Sequence, residues 1–137
     1  GKASSAMAVS CIDQLKDGGL PMKGFVIVKD GHATANEIRK LQEATFHLHE
    51  ASHPVPDERS AQGASKVIDL VSQATDKTLV ICCISGGGSA LFCQPKPPLT
   101  LQDLQETNQV LLASGMTIQE MNVIRKRLET GKGGRLA

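Results

Sequence analysis

The sequence is almost without aromatic residues: it has no Trp, no Tyr and only three Phe, at Phe25, Phe46 and Phe92. Base-stacking platforms for single-stranded nucleic acid interleave aromatic rings with cations, and no such stretch exists here. Neither sign of charge dominates. Fifteen Lys and Arg stand against 14 Asp and Glu, a formal net charge of +1, so nothing recommends a nucleic acid polymer or an anionic membrane as partner. The four cysteines form no C-x-x-C pair, which argues against a structural zinc site. Cys82 and Cys83 are neighbours in an apolar run and Cys11 falls on the apolar face of a predicted helix, so they read as reduced core residues. Cys93 reads as a free thiol near a loop. No apolar run approaches the ~20 residues of a membrane span, and no signal peptide is visible. The expected compartment is the reducing cytoplasm. The first residue is Gly1 rather than Met, which leaves a removed mitochondrial targeting segment open.

What is present is a globular pattern. At 137 residues and 40% hydrophobic content, the chain is long enough for one domain with a real core. Met7, Cys11 and Leu15 recur at helical spacing and predict a first helix over 3–16, closed by Gly18, Gly19 and Pro21. Phe25-Val26-Ile27-Val28 is an apolar run of strand length. A polar helical connection over 36–45 follows, then Phe46-His47-Leu48-His49-Glu50, which alternates like a strand with one wetter face. Pro54 and Pro56 make residues 53–57 a stiff loop. Asp57 can cap a helix carrying Ala61, Ala64, Ile68 and Val71. Leu79 to Ile84 is wholly apolar without alternation, which predicts a strand buried on both faces, as in a parallel sheet covered by helices. Thr100 can cap a helix bearing Leu101, Leu104, Leu111 and Leu112, and Thr117 another running to about Glu129. Strands separated by helices predict an α/β layered fold with a mostly parallel sheet. A helix opens the chain with no strand before it, and the last residues look like the start of an element, so an incomplete domain of a larger parent is expected.

The residues most able to carry chemistry are Ser85, Gly86, Gly87, Gly88 and Ser89, directly after the predicted buried strand. Glycines let the backbone approach a ligand closely and point N–H groups at phosphate or carboxylate oxygens, and in open α/β sheets ligands bind beyond the carboxyl ends of the strands. The turn fits neither a P-loop, which needs Lys after the last Gly, nor G-x-G-x-x-G, which needs Gly where Leu91 stands. It is not a G-x-S-x-G elbow either. A strand-to-helix turn with no ligand is an equally good local reading. On the helix from Thr117, Met121, Ile124 and Leu128 form the buried stripe, while Asn122 and Arg125 lie along its border and Arg127 points away. A guanidinium there can grip a carboxylate or phosphate through two parallel bonds, although solvation of a surface helix explains Arg125 and Lys126 as well. Lys2 opens the first helix with no acidic helix neighbour, and Lys132 and Arg135 flank Gly133-Gly134, so each could meet a ligand anion. His53, in the stiff loop with Asp57, could orient or deprotonate a substrate hydroxyl; Asp57 could equally be only a cap. His47 and His49 share a strand face but lack a third ligand, and no protein metal site is assigned.

Taken in order, these segments resemble the glycerate 2-kinase family whose C-terminal half is called the MOFRL domain. The resemblance is to that family's N-terminal Rossmann-like domain. It runs through Gly1-Lys2-Ala3, His53-Pro54-Val55-Pro56-Asp57, Ile84 to Leu91, Leu111 to Gly115, Ile118 to Asn122, Ile124-Arg125-Lys126 and Lys132 to Ala137. It implies a three-layer α/β fold, with residues 1–137 a partial N-terminal domain and the second domain absent. It further implies transfer of a phosphoryl group from ATP, assisted by Mg²⁺, to the 2-hydroxyl of D-glycerate, in a site between two domains. Lys2 would stand at the reacting phosphate, and the Ser85 to Ser89 turn would cradle substrate or phosphate. Asn122, Arg125, Lys132 and Arg135 would complete a basic pocket for glycerate and nucleotide. The chain departs from the family pattern at Arg127-Leu128-Glu129, where His-Leu-Ser is usual, and at Gly131, which is expected to loosen the placement of Lys132. Two other classes remain beside this one: a nucleotide-dependent Rossmann oxidoreductase and a non-catalytic anion-binding module.

Overall fold

A computed structural model describes residues 1–136. The elements in chain order are α1 (Ser4–Leu15), β1 (Phe25–Lys29), α2 (Ala35–Glu43), β2 (His47–Ala51), α3 (Glu58–Val71), the short α4 (Gly88–Leu91), α5 (Leu101–Ala113) and α6 (Ile118–Leu128). Four of these helices start in the way their sequences dictate. Thr34, Asp57, Thr100 and Thr117 each accept the N–H of the residue three further on, and that residue's side chain returns to the cap. The reciprocal bonds satisfy backbone donors that a helix start otherwise leaves unpaired.

β1 and β2 run parallel, in register from Phe25 opposite His47 to Lys29 opposite Ala51, and α2 provides the crossover. Successive side chains leave a strand on opposite faces, and both faces are used. On one, Val26 and Leu48 pack with Ala8 and Ile12 of α1 and Leu41 of α2. On the other, Ile27 and Ala51 pack with Val67 of α3 and Leu91 of α4. The result is three layers, helix on sheet on helix, with the sheet open. Val28, Leu41 and Leu91 are wholly buried, and burying a side chain of this size is worth about 1.5–3 kcal/mol. The seam of α1 is rotated from the expected one: Ala8 and Ile12 are its buried apolar residues, while Met7 and Cys11 are half-buried and Leu15 is exposed.

The run from Leu79 to Ile84 does not form the expected buried strand. It is unpaired, with Leu79 and Ile84 at 83% and 80% exposure, and among the described residues no backbone hydrogen bond engages 79–84. A strand buried on two faces needs a covering layer on each. The helices of this chain cover β1 and β2, and no layer is left over for 79–84. Cys82 is therefore exposed, whereas Cys93 is the buried thiol. Burial, and after it the nearby Glu129 carboxylate, push the Cys93 thiol up to about 12.

Beyond α4 the chain doubles back beside the end of α6. Pro95 bridges Glu129 in antiparallel fashion, Lys96 N–H donates to Leu128 O at 2.8 Å, and Thr130 N–H donates to Gln94 O at 2.9 Å. At Gly131 a Cβ would meet the ring of Phe92, so the glycine allows the ring to lie on the backbone.

Candidate functional site

The backbone around Lys2 is fastened to two elements at once. Gly1 N donates to Ile27 O of β1 at 2.9 Å, and Ser4 Oγ donates to the same carbonyl at 2.6 Å. Lys2 N–H donates to Gly86 O at 2.8 Å, and Ala3 N–H to Ser85 Oγ at 3.2 Å. Residues more than eighty positions apart are thus joined, and the Lys2 side chain stays exposed at the start of α1.

Gly87 is the tightest point of the turn. Its φ of +80° lies in the left-handed region that favours glycine. A Cβ there would stand 2.9 Å from His53 Nε2 and 3.3 Å from Lys2 Cε. The imidazole and the lysine stem therefore close on the same glycine, one from the loop after β2 and the other from the start of α1. The pKa of His53 is held below its usual value, first by desolvation and then by the Lys2 and Lys29 cations, so the ring is neutral and able to accept a proton at pH 7. In the full-length protein, Lys2→Met should move the NMR titration midpoint of His53 upward, because a repelling cation has been removed. An unchanged midpoint would separate the two side chains.

Lys132 lies at the other end of the turn. Its Nζ donates to Ser89 O at 2.7 Å, to Ser89 Oγ at 3.0 Å and to Glu129 Oε1 at 2.6 Å. Glu129 is 5% exposed, and burial raises its pKa against the opposing pull of Lys132. Sequence reasoning missed Glu129; α6 ends at Leu128 and Glu129 is extended, so no helical spacing pairs it with Lys132.

The remaining expected residues lie elsewhere or serve the scaffold. Arg125 Nε donates to Asn108 Oδ1 of α5 at 2.7 Å, and its two Nη groups have no partner among the described residues; Asn122 is exposed on the same helix. Among the described residues no hydrogen bond joins Arg125 or Asn122 to the glycine turn. Arg135 Nη1 donates to the carbonyls of Lys126, Glu129 and Lys132, binding the end of the described chain to α6. Asp57 is a cap: its Oδ1 accepts from Ser60 N–H at 3.1 Å and its Oδ2 from Arg59 Nε at 2.8 Å. Arg59 also grips Asp30 through both Nη groups, at 2.6 and 2.8 Å. That fork ties the end of β1 to the start of α3, and so fixes the ground on which the His53 loop stands. Among the described residues no group of three His, Cys, Asp or Glu is arranged for a metal ion. Mg²⁺ that arrives with a nucleotide keeps several waters and takes one or two protein carboxylates beside the phosphates, so a group of three is not what it requires.

A lysine, an imidazole and a glycine turn thus meet at one place in a three-layer α/β domain. The chain matches, over residues 1–137, the family described as a domain of unknown function (DUF4147), and it belongs to that family. Two similarities give the family its setting. A "Putative hydroxypyruvate reductase" of Agrobacterium vitis is 44% identical over 138 residues, covering 100% of this chain and 33% of the relative. A "D-glycerate 2-kinase" of Thermotoga maritima is 38% identical over 137 residues, covering 100% of this chain and 31% of the relative. The chain thus spans about a third of the length of these curated relatives. Among solved structures, a glycerate kinase from Thermotoga maritima superposes with a TM-score of 0.84 at 36% identity, covering 98% of this chain and 31% of the other. A Pyrococcus horikoshii protein gives the same score and identity over 99% of this chain and 29% of the other. The expected kinship with glycerate 2-kinases holds for family and fold, and no described helix is long and apolar enough to cross a membrane.

Proposed function

We propose that the longer protein to which this chain belongs transfers the γ-phosphoryl group of ATP to the 2-hydroxyl of D-glycerate, and that this chain supplies one wall of the site. The observation that carries the reading is the meeting of Lys2, His53 and Gly87 from three distant parts of the sequence. In the reaction the substrate 2-hydroxyl oxygen bonds to the γ-phosphorus as the bond to the β-phosphate bridging oxygen breaks, and ADP leaves. Neutral His53 takes the hydroxyl proton. The Lys2 ammonium offsets negative charge on the transferring oxygens, and backbone N–H groups of the glycine turn hold phosphate. Phosphoryl transfer asks mainly for positioning and charge stabilisation, which is what these groups offer. Arg125, with its Nη groups unspent and Asn122 three residues before it, is assigned the glycerate carboxylate or a nucleotide phosphate. The second domain of the parent protein closes the opposite wall, and the cytoplasm is the proposed location.

The full-length protein incubated with ATP should release ADP only when D-glycerate is added, and should form 2-phosphoglycerate. Absence of glycerate-dependent ADP would remove the reading. The reductase name carried by two Agrobacterium vitis relatives favours a second reading, reduction of hydroxypyruvate by NAD(P)H. The turn lacks the dinucleotide fingerprint, with Leu91 at the last glycine position. Loss of NAD(P)H absorbance on adding hydroxypyruvate, without ADP formation in the kinase assay, would select the reductase.

A further inference from the structure

We infer that Glu129 is a positioning residue, which through Lys132 holds Ser89 and the glycine turn in place, and that Lys132 acts as this strut and not as a ligand of the substrate anion. An ammonium has three N–H donors and no acceptor. All three are spent, on Ser89 O, Ser89 Oγ and Glu129 Oε1. For Lys132 to reach a phosphate it would have to leave one of these partners.

Glu129 makes that exchange unfavourable. Its side chain is 7% exposed, and Oε2 is buried with no hydrogen-bond partner, so Lys132 is the cation that compensates the carboxylate. Removing one member of a buried pair leaves an uncompensated charge in a medium that solvates it poorly. The other titratable group against the carboxylate is the Cys93 thiol, which is protonated and brings no positive charge.

The backbone on which the strut stands is itself braced. The Pro95–Glu129 bridge fixes Glu129 from one side, and Arg135 Nη1 binds the carbonyls of Glu129 and Lys132 from the other, at 3.2 and 2.9 Å. At its far end the strut takes both oxygen atoms of Ser89, in the first turn of α4 and two residues after Gly87. Lys2 and His53 contact the turn at Gly87 and Lys132 contacts it at Ser89, so the turn is held at two points by different means.

The kinetic part of this inference rests on the kinase reading; the structural part does not. Two measurements on the full-length protein separate them: hydrogen exchange of the peptide covering 85–91, followed by mass spectrometry, and kcat and KM for D-glycerate and ATP. Glu129→Gln and Lys132→Met should each speed exchange of that peptide by about tenfold, and the double variant should be no faster than either single one. Both should lower kcat by a similar factor while each KM stays within about twofold. If Lys132 binds the anion, the two variants diverge: Lys132→Met raises KM by about tenfold or more, and Glu129→Gln lowers it by freeing the cation. That divergence, or unchanged exchange in both variants, overturns the strut. If Lys132→Met fails to fold, Lys132→Arg replaces it, with the same faster exchange expected because a planar guanidinium cannot reproduce the three-point contact. Faster exchange in a protein that shows no glycerate-dependent turnover would keep the strut and dismiss the kinase.

Discussion

Lys2→Met in the full-length protein should lower glycerate-dependent turnover by about 10²–10³-fold, the usual cost of deleting one charge-stabilising donor aimed at a transition state. The position makes this a clean substitution. What anchors residue 2 to the turn is its backbone N–H, which donates to Gly86 O, and the side chain itself is exposed. A methionine keeps the backbone bond and the length of the stem while removing the ammonium. Stability should therefore hardly change, and the loss should fall on kcat more than on KM, because charge on the transferring oxygens develops beyond the ground state. Turnover within about twofold of the parent would take Lys2 out of the reaction.

The second large effect is expected from Gly87→Ala. Alanine at φ +80° pays for the left-handed backbone, about 1–2 kcal/mol. Its methyl would also stand 2.8 Å from His53 Cδ2 and 3.3 Å from Lys2 Cε. The lysine stem can give way; the imidazole, on a loop stiffened by Pro54 and Pro56, gives way less easily. Moving it out of place adds about 1–3 kcal/mol in the manner of overpacking. Activity should fall with stability, by about 100-fold, because misplacing a catalytic group by 1 Å is that costly. Denaturant titration beside steady-state kinetics checks both, and an alanine variant of parent stability and activity would mean that the turn is not clamped here. Gly86→Ala provides the control for stability alone, since open space surrounds its Cβ position and its φ is not positive.

Local rules made much of the scaffold legible. A side-chain oxygen at each of Asp57, Thr100 and Thr117 announced a helix start, and each of these caps is formed. The apolar run at Phe25 announced a strand, and Val26 to Val28 are buried in it. Leu79 to Ile84 carried the same signal more strongly and yields no strand. Pattern records what a segment can bury, whereas pairing depends on neighbours that the pattern does not contain. The site was legible in its ingredients and less so in its arrangement. Lys2, His53 and the glycines could be singled out one by one, but their meeting depends on three-dimensional closure of the β1, α2, β2 unit. Glu129 stood in view as a departure from the family pattern; its burial against Lys132 follows from the doubling back of 94–96 along 128–130, which no local rule announces.

The unpaired run at 79–84 also decides how the chain behaves by itself. Its free N–H and C=O groups, with apolar side chains beside them and no charge within 79–84, offer a ready template to another copy of the same run. The chain by itself is therefore expected to self-associate through those groups into intermolecular β-structure, with light scattering as the measurement that checks it.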